Sequence, residues 1–179
     1  MKTIEVSKFL SLVLRHEPGK IGITLDENGW TDCRELIDAA GRRGKKFSYE
    51  TLLEVVRTSD KQRFALSEDG KRIRANQGHS VKVDLALPVS TPPDRLYHGT
   101  VSKFIESIRE SGLNKGARHH VHLSPDLKTA TKVGQRRGEA LILTIRAAEM
   151  SAAGYGFYVS ENGVWLTDAV PPQFIEFPQ

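Results

Sequence analysis

The run Ser7-Lys8-Phe9-Leu10-Ser11-Leu12-Val13-Leu14-Arg15-His16-Glu17-Pro18 constrains the fold more than any other stretch. Val6, Phe9, Leu10, Val13 and Leu14 recur at three-and-four spacing, which places them on one face of an amphipathic helix packed on a core. Pro18 disfavours helical backbone at Glu17, so the helix stops there. It leaves a guanidinium, Arg15, and an imidazole, His16, side by side at a rigid helix end. A fork of donors beside a titratable ring suits a phosphate. The same two residues also serve a plainer purpose, neutralising the negative end of the helix dipole. This stretch alone leaves both readings open.

Downstream, Gly22-Ile23-Thr24-Leu25 reads as a short strand and Asp26-Glu27-Asn28-Gly29 as a turn before Trp30. Thr31 or Asp32 is expected to cap a second helix that turns Leu36, Ile37 and Ala40 inward and ends near Gly41. The basic cluster Arg42-Arg43-Gly44-Lys45-Lys46 forms the next turn. Ser48 then caps a third helix carrying Leu52, Leu53, Val55 and Val56 to about Thr58. Arg63–Ser67 and Lys71–Ala75 alternate apolar with polar residues around Glu68-Asp69-Gly70, a hairpin signal. Three helices and a hairpin read as a winged-helix domain. The alternation sets Arg63 on the face opposite Phe64 and Leu66, free to point at a ligand. Asn76-Gln77-Gly78-His79-Ser80 follows, either a plain loop or a backbone donor site opened by its glycine. Pro88-Val89-Ser90-Thr91-Pro92-Pro93 breaks regular structure, so two domains are expected, 1–90 and 91–179.

The second half opens with a strand, Arg95–Thr100, then a helix with Phe104, Ile105 and Ile108 inward that stops at Gly112. Arg118–Ser124 reads as a strand, Pro125-Asp126 opens a helix with Leu127, Ala130 and Val133, and Leu141–Ile145 is another strand. Phe157–Val159 and Val164–Thr167 form a hairpin through Glu161-Asn162-Gly163, and Phe174–Phe177 closes the sheet. This half is α+β. It contains neither GxGxxG nor a P-loop, so the Rossmann and Walker phosphate cradles are excluded.

Composition narrows the partners. Of 179 residues, 39% are hydrophobic and 27% charged, an ordinary globular balance with a net charge of +4. The surplus is mostly N-terminal, in the 42–46 cluster and in Lys61, Arg63, Lys71, Arg72 and Arg74, which points to a polyanion. One cysteine, Cys33, permits no internal disulfide, and a soluble cytoplasmic protein without a membrane span or signal peptide is expected. His119, His120 and His122 invite a metal reading, but strand geometry puts His119 on the opposite face and no further ligand completes a shell, so no metal is expected. The more economical constellation is basic. Arg15, His16, Arg63 and Arg118 each sit at an element end or strand, and together they would bind one phosphate and stabilise charge developing on it.

Six motifs recur in order from Ser7 to Thr167: Phe9–His16, Lys61–Phe64, Ile73–Ser80, Leu96–Thr100, Arg118–Ser124 and Glu161–Thr167. In this succession the chain resembles the NAD-dependent RNA (tRNA) 2′-phosphotransferases. Glu17 departs from the pattern, standing where a basic residue is expected in many relatives. The resemblance implies an α+β architecture, an N-terminal winged-helix RNA-binding lobe joined to a C-terminal lobe of the ADP-ribosyltransferase fold with a split β-sheet. It implies an active site in the cleft between them. It further implies that an internal RNA 2′-phosphate attacks the C1″ ribose carbon of NAD and expels nicotinamide. The resulting RNA 2′-phospho-ADP-ribose intermediate resolves to 2′-hydroxyl RNA and ADP-ribose 1″,2″-cyclic phosphate. Carried over by position, the catalytic set is Arg15, His16, Arg63 and Arg118, while His98, Gly99, Thr100, Ser124 and Val164 resemble the NAD pocket. Arg136 and Arg137 either add to that pocket or are surface charge. The expected partners are 2′-phosphorylated RNA, tRNA in particular, and NAD as a consumed co-substrate, with the protein acting as a monomer. Two rivals stay open: a winged-helix nucleic-acid binder without chemistry, and an ADP-ribosyltransferase that stops after the first step.

Overall fold

A computed structural model describes residues 1–59 and 61–178. The chain is mixed α+β, with small open sheets, and divides into two compact units, Met1–Ala86 and Leu87–Gln179.

In the first unit, α1 (Thr3–Arg15) begins upstream of the expected start and buries Val6, Leu10, Val13 and Leu14, with Phe9 packed at the edge of the same core. It ends as Pro18 requires, with His16 at the C-cap. The expected strand at Gly22–Leu25 does not form. Asp26 Oδ1 instead accepts from the N–H groups of Asn28 and Trp30, closing a side-chain-organised turn. Pairing starts only at β1 (Thr31–Asp32). Of the two expected caps, Asp32 is the one used: it accepts from the N–H of Arg34 and of Glu35 at the start of α2 (Cys33–Arg42). Ser48 Oγ does the same for Thr51 N–H in α3 (Tyr49–Thr58), a contact worth about 1 kcal/mol. The hairpin of β2 (Phe64–Leu66) and β3 (Arg72–Ala75) forms around Gly70, and β1 adds to β3, giving the antiparallel order β1-β3-β2. Leu36, Leu52, Phe64 and Ile73 meet α1 in one core. Cys33 lies in that core, where burial, then the charges of Asp32 and Asp69, pushes its thiol up to about 11. It stays protonated and packs as a small apolar side chain.

The second unit contains β4 (Leu96–Thr100), α4 (Ile105–Ser111), β5 (Leu113–Asn114), β6 (Val121–Leu123), α5 (Leu127–Gly134), β7 (Leu141–Ile145), α6 (Ala147–Ala152), β8 (Tyr158–Val159), β9 (Trp165–Thr167), β10 (Ala169–Val170) and β11 (Ile175–Glu176). Its sheets run β11-β7-β4, β6-β9-β8 and β10-β5, all antiparallel. A bridge between Tyr97 and Ser124, with mutual N–H to O bonds of 2.8 and 2.9 Å, ties β4 to the end of β6. Gly112 ends α4 at φ +72°, as expected of a helix stop. The Asn162-Gly163 turn joins β8 to β9. Helix α6 was not expected; Ala147 and Met150, three residues apart, bury its inner face.

Helix α5 also departs from its apolar pattern. Ala130 is fully buried, yet Leu127 and Val133 are 54% and 40% exposed. The reason is at Gly99, where an added Cβ would stand 2.0 Å from Ala130 O and 2.8 Å from Gly134 N. A helix this close to a strand presents only its smallest residues, so the larger ones turn to solvent. Gly99→Ala is therefore expected to destabilise the protein by about 2–3 kcal/mol in a urea titration, because the obstructing atoms are backbone. Gly19→Ala, where a Cβ meets nothing within 4 Å, is expected to stay within about 0.5 kcal/mol. Equal stability of both variants would contradict the close packing of β4 on α5.

Candidate functional site

Pro18 cuts α1 short and leaves its last carbonyls in need of donors. The segment that supplies them is Asn76–Val81. Ser80 N–H donates to Arg15 O at 2.8 Å and Val81 N–H to the same oxygen at 3.2 Å. That seats Ser80 Oγ 2.8 Å from His16 Nδ1, so the ring is held by one nitrogen and Nε2 is the one not engaged by Ser80. The other end of the segment grips Arg63. Asn76 N–H donates to Arg63 O at 2.9 Å, and Asn76 Nδ2 donates to Gln62 O at 2.5 Å. Gln62 sits at φ +41°, a left-handed conformation uncommon for a residue with a side chain. Buried Asn76 pins that turn and with it the backbone from which Arg63 projects. One short segment thus fixes both the Arg15-His16 helix end and Arg63, while Arg63 itself is half-buried just ahead of β2. Glu17, the departure from the family pattern, is paired with Lys20 at 2.9 Å.

In the second unit, His98 and Thr100 alternate with Gly99 on β4, so they share the face opposite α5. Ser124 faces Tyr97 across the bridge, and the β6–β9 register, continued one residue past Leu123↔Trp165, sets Val164 across from Ser124. Val164 itself belongs to the turn, its N–H donating to Ser160 Oγ, and the strand begins at Trp165. His98 and Thr100 therefore lie on β4, with Ser124 just past the end of β6 and Val164 just ahead of β9. His98 Nδ1–H donates to His122 O at 3.0 Å. Desolvation holds its pKa below the ordinary histidine value, and the charges of Arg137 and Arg118 push the same way, outweighing the hydrogen bond. Arg118 lies in the turn before β6, where its Nη1 donates to His122 Nδ1 at 3.5 Å. Desolvation of the guanidinium, then the charge of Arg137, lowers its pKa too, without discharging it near neutrality. The charge of Arg137 thus reaches both groups. The neutral ring, with its Nδ1–H spent on His122 O, presents an Nε2 lone pair, and the positive charge on that side comes from Arg118 and Arg137.

Among the described residues, no group of three or more His, Cys, Asp or Glu gathers as metal ligands, and no helix is long and apolar enough to cross a membrane. Sequence reasoning missed the positioning roles of Asn76, Ser80 and His122. Asn76 and Ser80 were visible as members of a polar run and His122 as one of a group of histidines, but nothing local said what they would meet.

Comparison with known proteins adds a separate finding. A family model described as "RNA 2'-phosphotransferase, Tpt1 / KptA family" matches residues 1–169. The chain is 57% identical over 172 residues to a Flavobacterium johnsoniae protein named "Probable RNA 2'-phosphotransferase", spanning 96% of this chain and 94% of that one. A Rhodopirellula baltica protein of the same name is 58% identical over 176 residues, spanning 98% and 96%. One from Streptomyces griseus, also so named, is 55% identical over 181 residues, spanning 97% and 96%.

The state of His98 carries a sign. Its folded pKa lies below the unfolded value of about 6.5, so as pH falls the unfolded chain takes up a proton that the folded protein resists. Stability present at neutral pH is lost on acidification. The fall in denaturation midpoint between pH 7 and pH 5 is expected to be smaller in His98→Gln, which keeps a donor for His122 O. An identical fall in both proteins would show that His98 is not held neutral.

Proposed function

Since the chain belongs to the RNA 2′-phosphotransferase, Tpt1 / KptA family, we propose that it removes an internal 2′-phosphate from RNA, of the kind left at a tRNA splice junction, by transferring it to NAD. The first unit is read as a winged-helix RNA-binding lobe and the second as an ADP-ribosyltransferase-like lobe that takes NAD, with the working boundary at 90/91 and a monomer as the active form. The observation that carries this reading is the Asn76–Val81 segment, which bonds the backbone of Arg15 and of Arg63 and the ring of His16. A helix end that is only structural has no need of an imidazole oriented by a distant hydroxyl, whereas a phosphate site does.

NAD, consumed as co-substrate, supplies an acceptor ribose whose C1″ loses nicotinamide and whose 2″-hydroxyl completes the release of ADP-ribose 1″,2″-cyclic phosphate. Arg15 and Arg63 hold the RNA 2′-phosphate, orient it and offset the charge that builds on its oxygens. His16, oriented by Ser80, is the member of this set able to exchange a proton near neutral pH at Nε2. Arg118, with Arg137 beside it, offsets negative charge on the dinucleotide diphosphate and on the phosphate being moved. His98, kept neutral with its Nδ1–H on His122 O, offers an Nε2 lone pair without adding a third positive charge. Thr100 and Ser124 add hydroxyls, while Gly99 and Val164 contribute through backbone position.

The test is to incubate the protein with NAD and a short RNA carrying one labelled internal 2′-phosphate. The expected products are 2′-hydroxyl RNA and ADP-ribose 1″,2″-cyclic phosphate, formed only with NAD. A persistent ADP-ribosylated RNA would favour a one-step transferase, and an untouched substrate would favour a binding module. Within this reading Ser80 is a positioning residue. Ser80→Ala is expected to lower kcat about tenfold, near 1.4 kcal/mol, with KM for RNA unchanged, and Ser80→Thr to restore it. A rise in KM alone would mean that Ser80 contacts RNA directly.

A further inference from the structure

The basic turn between α2 and α3 plays no part in the proposed chemistry. Arg42, Arg43, Lys45 and Lys46 are all exposed there, and no acid interrupts them. The backbone beneath them is fixed. Arg43 N–H and Lys45 N–H both donate to Ala40 O, at 3.0 and 2.9 Å, and Gly44 N–H donates to Gly41 O at 3.0 Å. Gly44 takes φ +76°, the left-handed conformation that turns the chain away from α2. Phe47, the next apolar residue, packs edge-on against Phe9 of α1 with ring centres 6.1 Å apart, and Met1 N donates to Lys46 O at 3.3 Å. The turn is therefore tied to the first half of α1.

Along α1 the charge continues toward the phosphate site. Lys8 is exposed, and Ser11 and Arg15, three and seven residues on, share its side of the helix. Lys8 precedes Arg15 by about 10 Å along the axis, and the turn, beside the helix start, by about 20 Å. Among the described residues, none of Lys8, Arg42, Arg43, Lys45 and Lys46 forms an ion pair. The nearby acids are engaged elsewhere. Glu5, the acid of α1, accepts from Lys2 N–H at 3.1 Å, and Glu17 is paired with Lys20. Hydrogen bonds from its own backbone and from Ser48 hold the Glu50 carboxyl below the usual carboxylate range. Arg42 and Arg43 complement the negative end of α2, and Arg42 stands one helical turn after Asp38. Lys8, Lys45 and Lys46 serve neither purpose. The apolar side of α1 is buried in the core and Phe47 packs against it, which leaves Met1 and Ile4 as the exposed large apolar side chains of this unit among the described residues. That is too little to hold a membrane surface, so the charge fits a polyanion strand.

We propose that Lys8 and the Lys45-Lys46 turn form a track for the phosphodiester backbone of the RNA, leading away along α1 from the 2′-phosphate held at Arg15. At about 3.4 Å per stacked nucleotide, Lys8 meets the backbone roughly three nucleotides from the 2′-phosphate and the turn roughly six. The track deepens the proposed function and rests on it for the choice of RNA and for the place of the 2′-phosphate. It sets how much flanking RNA the protein engages.

The test is equilibrium binding of two RNAs to the full chain without NAD, by fluorescence anisotropy across a salt series. One is a seventeen-nucleotide strand with a single 2′-phosphate at its centre, and the other a trinucleotide with the 2′-phosphate on its middle residue. For Lys8→Gln/Lys45→Gln/Lys46→Gln, affinity for the long strand is expected to fall about tenfold, and the slope of log K against log salt to shrink by about 0.7 for each RNA phosphate that the variant no longer neutralises. The trinucleotide, too short to reach the track, is expected to bind both proteins alike. Lys45→Arg/Lys46→Arg is expected to keep the long-strand slope, since it keeps the charge. An unchanged slope in the triple variant, an equal weakening for the trinucleotide, or no RNA binding by the unaltered protein would each overturn the inference. So would displacement of the long strand by phosphatidylserine vesicles at equal phosphate concentration, which would make a membrane surface the partner. Because no turnover is measured, RNA binding with the expected slopes but no phosphate transfer would count against the proposed function alone.

Discussion

The unsatisfied carbonyl at the end of α1 is the constraint on which the candidate phosphate site depends. A helix halted by Pro18 cannot supply a donor to Arg15 O, and an exposed polar end would leave the site loose. The donors come from Ser80 and Val81, far along the chain. Once the segment is in place, its other hydrogen bonds follow from its length. Ser80 reaches the His16 ring, and Asn76, four residues earlier, reaches the carbonyls of Gln62 and Arg63. The backbone that carries Arg15 and Arg63 is thus tied to one segment as a by-product of satisfying main-chain carbonyls.

In the second unit the equivalent constraint is steric. Gly99 and Gly134 let α5 lie almost on the backbone of β4. That approach claims one face of the strand, and His98 and Thr100 stand on the other. Burial also desolvates His98, and the nearby cations then make a positive ring more costly still. Packing and electrostatics thus push in one direction: a neutral imidazole between fixed positive charges. The alternation that buries Ile73 and Ala75 likewise brings Arg72 and Arg74 together beside Trp30.

Features written in a few adjacent residues were legible. Asp32 and Ser48 cap the helices they precede, Gly112 ends α4, and Asp-Gly and Asn-Gly mark both hairpins. Arg15 and His16 were legible for the same reason, because a helix end is a local event. Elements of two residues were not. Whether Gly22–Leu25 or Thr31–Asp32 makes the strand depends on which of them β3 can reach, and the turn closed by Asp26 decides that. Helix α5 showed an apolar pattern whose larger members lie in solvent, because the pattern does not state how close the neighbouring strand comes.

By itself the sequence determined the helices other than α6, the caps of α2 and α3, the hairpins, the basic character of the first half and, through six ordered motifs, the family. These rest on torsional preference, turn chemistry and apolar spacing, all of which act within one or two turns of chain. Only the tertiary structure decided that Ser80 orients His16, that Asn76 anchors Arg63, that His122 serves both His98 and Arg118, and that Arg72 and Arg74 share one indole. Those are meetings of groups distant in sequence. Each forms because a buried donor or acceptor, or a cation beside an aromatic face, takes whatever partner the fold delivers, and that partner is set by packing rather than by its neighbours in the chain.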